Sequence, residues 1–120
     1  MSNHPFVHIE ISANNLDAAG KFYAEAFGWN VQHIPEMNYS TFETGEGVGG
    51  GLNPVQEGVS AGSIVVYIGT DDIEASLEKI EKLGGQTIVP KNEIPGMGWF
   101  ALFKYPTGNV IGLFTEIPMS

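Results

Sequence analysis

The sequence predicts an α+β fold: two tandem βαβββ modules that form mixed sheets with the helices on the outer face. Three observations predict it. A strand-and-helix passage near the N-terminus returns in the second half, its strands alternate in polarity, and each helix runs into glycine. Phe6-Val7-His8-Ile9-Glu10-Ile11 followed by Asn14-Asn15-Leu16-Asp17-Ala18 comes back as Ser63-Ile64-Val65-Val66-Tyr67-Ile68 followed by Asp71-Asp72-Ile73-Glu74-Ala75. His8 and Val65, Asn15 and Asp72, and Ala18 and Ala75 all stand 57 positions apart. Repetition at a constant offset marks two copies of one supersecondary unit.

In the first strand, Val7, Ile9 and Ile11 form one row, while Phe6, His8, Glu10 and Ser12 form the other. That period of two gives one face to a helix and leaves the other for something else. In the second copy, Ile64, Val66 and Ile68 repeat the apolar row, and Val65 and Tyr67 take the places of His8 and Glu10. The first helix starts at Asn14 or Asn15, a good N-cap, and stops at Gly28, with Leu16, Ala19, Phe22, Tyr23, Ala26 and Phe27 on one face. The second starts at Asp71 with Glu74 three residues on, and ends at Gly84-Gly85. Its buried stripe is Ile73, Leu77, Ile80 and Leu83.

Three strands follow each helix: Asn30–Ile34, Tyr39–Thr44 and about Gly50–Val55, then Gln86–Val89, Trp99–Lys104 and Asn109–Glu116. Pro35, Gly45-Glu46-Gly47, Pro90, Pro95-Gly96 and Pro106-Thr107-Gly108 punctuate them. One domain therefore spans 1–120, with module one over about 5–55, a linker at 54–62 and module two over about 63–118. Each module is too small to be a domain by itself.

Composition narrows the chemistry. There is no cysteine, so disulfides, thiolate metal sites and a thiol nucleophile are excluded. Fourteen acidic side chains against five lysines and no arginine give a net charge of −9, the wrong sign for nucleic acid. No apolar run approaches the roughly 20 residues of a membrane span, and the start shows no secretion signal, so the expected location is cytoplasmic. The runs at 45–51 and 95–98 are rich in glycine, but neither is followed by the Lys and Ser or Thr of a phosphate loop.

The chain resembles the vicinal oxygen chelate superfamily, which includes glyoxalase I, bleomycin-resistance proteins and extradiol dioxygenases. The residues that carry the resemblance are 15–23, Phe27-Gly28-Trp29, Leu83-Gly84-Gly85 and Phe103-Lys104-Tyr105-Pro106-Thr107-Gly108-Asn109. The last stretch is similar to a recurrent Asp-Pro-x-Gly-Asn hairpin, with Tyr105 in place of the Asp. Short uncharacterised relatives of lactoylglutathione lyase are the members it looks most like. The resemblance implies a cavity used for small molecules, with metal ligands in the metalloenzymes on the first and last strand of each module. Those positions fall on His8, on Val65, within Gly49–Gly51 and on Gly112. Three of the four offer no coordinating side chain, so no metal or other cofactor is expected.

The candidate catalytic residue is His8, an acid or base near neutral pH on the row away from the helix. The bland alternative is a histidine satisfied by Glu10 or Tyr67. Candidate ligand-binding residues are His8, Glu10, Tyr39, Tyr67 and Trp99, the last at the rim of a cavity shared with His8 and Tyr67, because small-molecule sites combine apolar walls with a few directed polar groups. The expected function is metal-independent handling of an apolar or cationic small molecule, by a binder or by a lyase- or isomerase-like enzyme. The alternative is a divalent-metal-dependent lyase or isomerase of the glyoxalase I type. Half-open sheets leave edges and apolar surface for a twofold partner, so a homodimer is expected, with no nucleic-acid or membrane partner.

Overall fold

The computed structural model describes residues 4–55 and 64–117, so most of the expected linker lies outside the described residues. The chain divides into two compact units, one of Val7–Val65 and one of Val66–Ser120 joined by Met1–Phe6.

The first unit builds its sheet from β1 (Phe6–Ala13), β2 (Asn30–Ile34), β3 (Tyr39–Glu43) and β4 (Gly50–Pro54), with α1 (Leu16–Phe27) between β1 and β2. The strand order is β2-β3-β4-β1. β1 runs parallel to β4, and the other pairs are antiparallel. Asn15 caps α1 by accepting from the Ala18 N–H at 2.9 Å. Gly28, at φ 75°, closes it through its N–H on the Ala24 carbonyl. That left-handed turn suits glycine because no Cβ is present to clash.

The apolar face expected on α1 is rotated. Phe22 and Phe27 are 60% and 66% exposed, and the buried helix residue is Gly20. A Cβ on Gly20 would lie 3.0 Å from both the His33 ring and Val31 Cγ1. The helix therefore comes closest to the sheet at its glycine, which turns Phe22 outward. Tyr23 stays inward, stacked on Trp29 at 5.1 Å between centroids, and Trp29 stacks in turn on Phe42 at 4.6 Å. This aromatic pile, with the fully buried Leu52 and Ser40, forms the core of the first unit.

The second unit contains β5 (Ile64–Gly69), α2 (Ile73–Lys82), β6 (Gln86–Ile94), β7 (Gly98–Lys104) and β8 (Val110–Glu116). The order is β5-β8-β7-β6, again with one parallel pair, β5 with β8. The N-cap is Asp72 rather than Asp71, its carboxylate accepting from the Ala75 N–H at 2.9 Å. Ile73 and Leu77 are buried as expected, whereas Leu83 is 78% exposed because the helix ends at Lys82 and the next residue leaves the helical phase.

β6 continues through Pro90, where the sequence suggests an end. Its register with β7 shifts between Thr87 and Val89 and again between Val89 and Asn92. Proline lacks the N–H of a regular ladder, and an irregular outer strand is where a sheet tolerates it. α2 packs over one face of this sheet, on a core of Ile73, Leu77, Ala101 and Leu113 flanked by Ile68, Ile80, Trp99 and Phe103. Among the described residues, no helix is long and apolar enough to cross a membrane.

Candidate functional site

The sheet of the first unit presents polar side chains on the face opposite α1. Alternation along β1 puts His8 and Glu10 on that face, and the register of the sheet decides what joins them. Glu10 pairs with Gly51 of β4, and Gly51 pairs with Thr41 of β3. Ser40 pairs with Leu52, which sets Tyr39 beside Asn53.

Three side chains converge on the Glu10 carboxylate. The Tyr39 hydroxyl donates to Oε2 at 2.8 Å, and the Asn53 amide donates to Oε1 at 3.0 Å. His8 Nε2 lies 2.8 Å from the Tyr39 oxygen and 3.5 Å from Glu10 Oε2. Since the one phenolic proton goes to Glu10, the His8–Tyr39 bond requires the proton on His8 Nε2, with Tyr39 accepting. The order is thus His8 to Tyr39 to Glu10, with Asn53 steadying the other carboxylate oxygen. Side-chain exposure is 30% for His8 and 18% for Glu10, so solvent or a ligand reaches both in part.

The glycine at 51 permits this arrangement. A Cβ there would fall 1.7 Å from the Tyr39 hydroxyl oxygen and 2.0 Å from Cζ. The phenol ring lies across the glycine, in the space a side chain on the last strand would use. The second unit repeats the device: Tyr67 pairs with Gly112, and a Cβ on Gly112 would lie 2.3 Å from the Tyr67 ring. Glu10 and Gly51 in one unit therefore correspond to Tyr67 and Gly112 in the other. Leu102 pairs with Gly112 and Phe100 with Phe114, so Phe100 and Phe114 stand where the first unit has Tyr39 and Asn53. The repeat keeps its backbone register while one copy carries a polar network and the other aromatic rings.

The donor set does not fit the metal centre that the sequence resemblance implies for the metalloenzymes. Gly51 and Gly112 supply no ligand atom, and the directions their side chains would take are filled by tyrosine rings. Among the described residues, no three His, Asp or Glu side chains form a group able to hold a metal ion. Divalent metal sites generally need at least three protein ligands.

Of the five candidate ligand-binding residues, His8, Glu10 and Tyr39 meet in one network. Tyr67 is a buried residue of the second unit, over Gly112. Trp99 requires a correction: it was expected on the face of Tyr67, at a cavity rim. It pairs with Thr115, one strand step out of phase with the Gly112 row, and packs with Phe103 on the core beneath α2. Strand alternation puts it on the helix side, with Lys91 Nζ 5.2 Å from its ring centroid. Trp99→Ala is accordingly expected to cost about 2 kcal/mol in a urea unfolding curve, less than the ~3–5 kcal/mol of a fully buried aromatic because the ring is only half-buried. A cost near zero would remove it from the core.

Asn53 and Gly51 complete the network, and sequence reasoning did not group them with it. The usable signal was the Gly-Gly-Gly-Leu-Asn run, which puts an amide on the face of a side-chain-free position. A second polar cluster lies on the helix side. His33 Nδ1 is 2.5 Å from Ser40 Oγ, and His33 Nε2 is 3.5 Å from Asp17 Oδ1. The residue types match a hydrolytic triad, but Ser40 is fully buried and cannot meet a substrate, so the cluster fastens α1 to β2 and β3.

A family model described as "Bleomycin resistance protein-like N-terminal" matches residues 5–45. A glyoxylase-like domain-containing protein of Didymella fabae is 31% identical over 120 residues, covering 90% of this chain and 91% of that protein. The chain belongs to the glyoxalase/bleomycin-resistance family. CFP32, a glyoxylase-type protein of Mycobacterium tuberculosis, is 30% identical over 88% of this chain, which spans 43% of its length. The fold is shared with methylmalonyl-CoA epimerase of M. tuberculosis, at a TM-score of 0.72 and 16% identity, over 94% of this chain and 88% of that one.

Proposed function

We propose that this family member handles a small molecule without a metal, holding a cationic or hydrogen-bonding group of its ligand against the Glu10–Tyr39–Asn53 network. The single observation that carries this reading is the seating of Tyr39 on Gly51: a phenol joined to His8 and Glu10 takes the space of a last-strand ligand. The network favours a cation over an apolar group, because Glu10 and Glu43 share a face with no lysine. Lys21 is the one lysine or arginine between 7 and 65, and it sits on α1, 4.0 Å from Glu25.

The same charge pattern on the first unit favours this reading over an acyl-CoA ligand held on that face. A nucleotide's phosphates need cationic or helix N-terminal partners, and the polar face supplies carboxylates, amides and hydroxyls instead. His8, partly exposed and hydrogen-bonded through Nε2, is the group best placed to take or give a proton if the bound molecule is also transformed.

The test is calorimetric titration with cationic probes, benzamidine and metal-free bleomycin, in buffer containing a chelator. Binding is expected, and Glu10→Gln is expected to weaken it by about tenfold or more, the size of one lost charge-assisted hydrogen bond of about 1.5–3 kcal/mol. Binding that appears only on adding a divalent ion, or metal-dependent turnover of the hemithioacetal of methylglyoxal and glutathione, would establish the glyoxalase I type instead. Indifference of both probes to Glu10→Gln would remove Glu10 from the site.

A further inference from the structure

We propose that the cavity between β2 and β3 of the first unit is a subsite for a hydroxyl-rich ring, the sugar or polyol portion of a larger ligand. It deepens the reading above and rests on it. The cavity is an open hollow of about 140 Å³ on the sheet face, lined by the half-buried Thr41 and the exposed Asn30, Gln32 and Glu43. Asn30 pairs with Glu43 and Gln32 with Thr41, so the four side chains form a square on one face of two adjacent strands. The cross-strand row continues from Gln32 and Thr41 through Gly51 to Glu10. The cavity and the His8–Tyr39–Glu10 network therefore occupy one continuous polar face.

Size and chemistry select the occupant. Pockets for whole drug-sized ligands run to roughly 300–1,000 Å³, so this one takes a single ring or an equivalent fragment. An apolar fragment would strip water from two amides, a hydroxyl and a carboxylate and return no hydrogen bond to any of them. An anion would meet Glu43, and the one lysine of the first unit, Lys21, lies on the helix side, 4.0 Å from Glu25. What remains is a group that both donates and accepts at several adjacent positions. Amide side chains do both, threonine does both, and the carboxylate accepts, which matches neighbouring hydroxyls that each carry one proton and two lone pairs. An amine on the same ring would gain further from Glu43.

The experiment is a titration of ¹⁵N-labelled protein with glucose, glucosamine and glucose 6-phosphate, followed by amide shifts. Glucose and glucosamine are expected to move the signals of Asn30, Gln32, Thr41 and Glu43, with glucosamine at least as tight and glucose 6-phosphate several-fold weaker. The paired substitution Asn30→Ala, Gln32→Ala is expected to abolish the shifts while leaving signal dispersion intact, since both side chains are exposed. Three results would each overturn the subsite: no localised shifts with any of the three probes, glucose 6-phosphate binding most tightly, or shifts that persist in the paired variant. Benzamidine and bleomycin report on Glu10 separately. If they bind there while no sugar reaches the cavity, the subsite fails alone; if nothing binds on this face, both readings fail.

Discussion

Gly50→Ala is expected to destabilise the protein by about 3 kcal/mol or more, the upper range for forcing an atom into a packed site. A Cβ at Gly50 would lie 1.8 Å from the Ile9 carbonyl oxygen and 2.8 Å from Phe42 Cζ. The first obstacle is backbone, so no rotamer change clears it. Ile9 is tied to β4 by the bond from its N–H to the Gly49 carbonyl at 3.1 Å and by its pairing with Gly50. Relief requires β1 to move off β4, and β1 carries His8 and Glu10. Against a typical total stability of about 5–15 kcal/mol, that is a large fraction. Urea unfolding followed by tryptophan fluorescence measures it, and ligand binding should fall in parallel. A loss below about 1 kcal/mol would mean that the strands are not in the observed contact.

The same glycine run shows where sequence reading succeeds and stops. Alternation, caps and the constant offset are local signals, and they located both helices, most strand limits and the row of His8 and Glu10. Tyr39 was legible only as one of the aromatic candidates for a pocket wall. Its partners were not, because Glu10, Gly51, Tyr39 and Asn53 come from three strands and meet only once the register is set. The rotation of α1 was hidden by composition: Phe22 and Phe27 outweigh Gly20 in any count of apolar residues, yet the helix approaches the sheet where the side chain is smallest. Trp99 was placed by its neighbouring Gly-rich turn, whereas the phase of β7 against β8 puts it beneath α2. Pro90 reads as a terminator in sequence and is carried within a strand whose register is already broken.

The seating of Tyr39 on Gly51 predicts a specific pattern of non-additivity. In Gly51→Ala the new methyl would occupy the position of the phenol oxygen, 1.7 Å away, so the ring must swing out. The ring tip can move, unlike the Ile9 carbonyl, so the stability cost should be smaller than for Gly50→Ala, about 1–3 kcal/mol. The larger consequence falls on the network. With the phenol displaced, His8 and Glu10 each lose their hydrogen bond to it. Tyr39→Ala removes the same bonds without the clash. Once Tyr39 is alanine, the further change Gly51→Ala should cost almost nothing, so the double variant should be no less stable than Tyr39→Ala alone. The coupling energy is then close to the full cost of Gly51→Ala, well above the ~0.5 kcal/mol scatter seen for independent sites. A double-mutant cycle in urea measures it directly, and each of the three variants should lose affinity for the cationic probes by a similar factor. Additive stabilities, or wild-type affinity in Gly51→Ala, would show that the ring does not lie over the glycine and that the network does not depend on it.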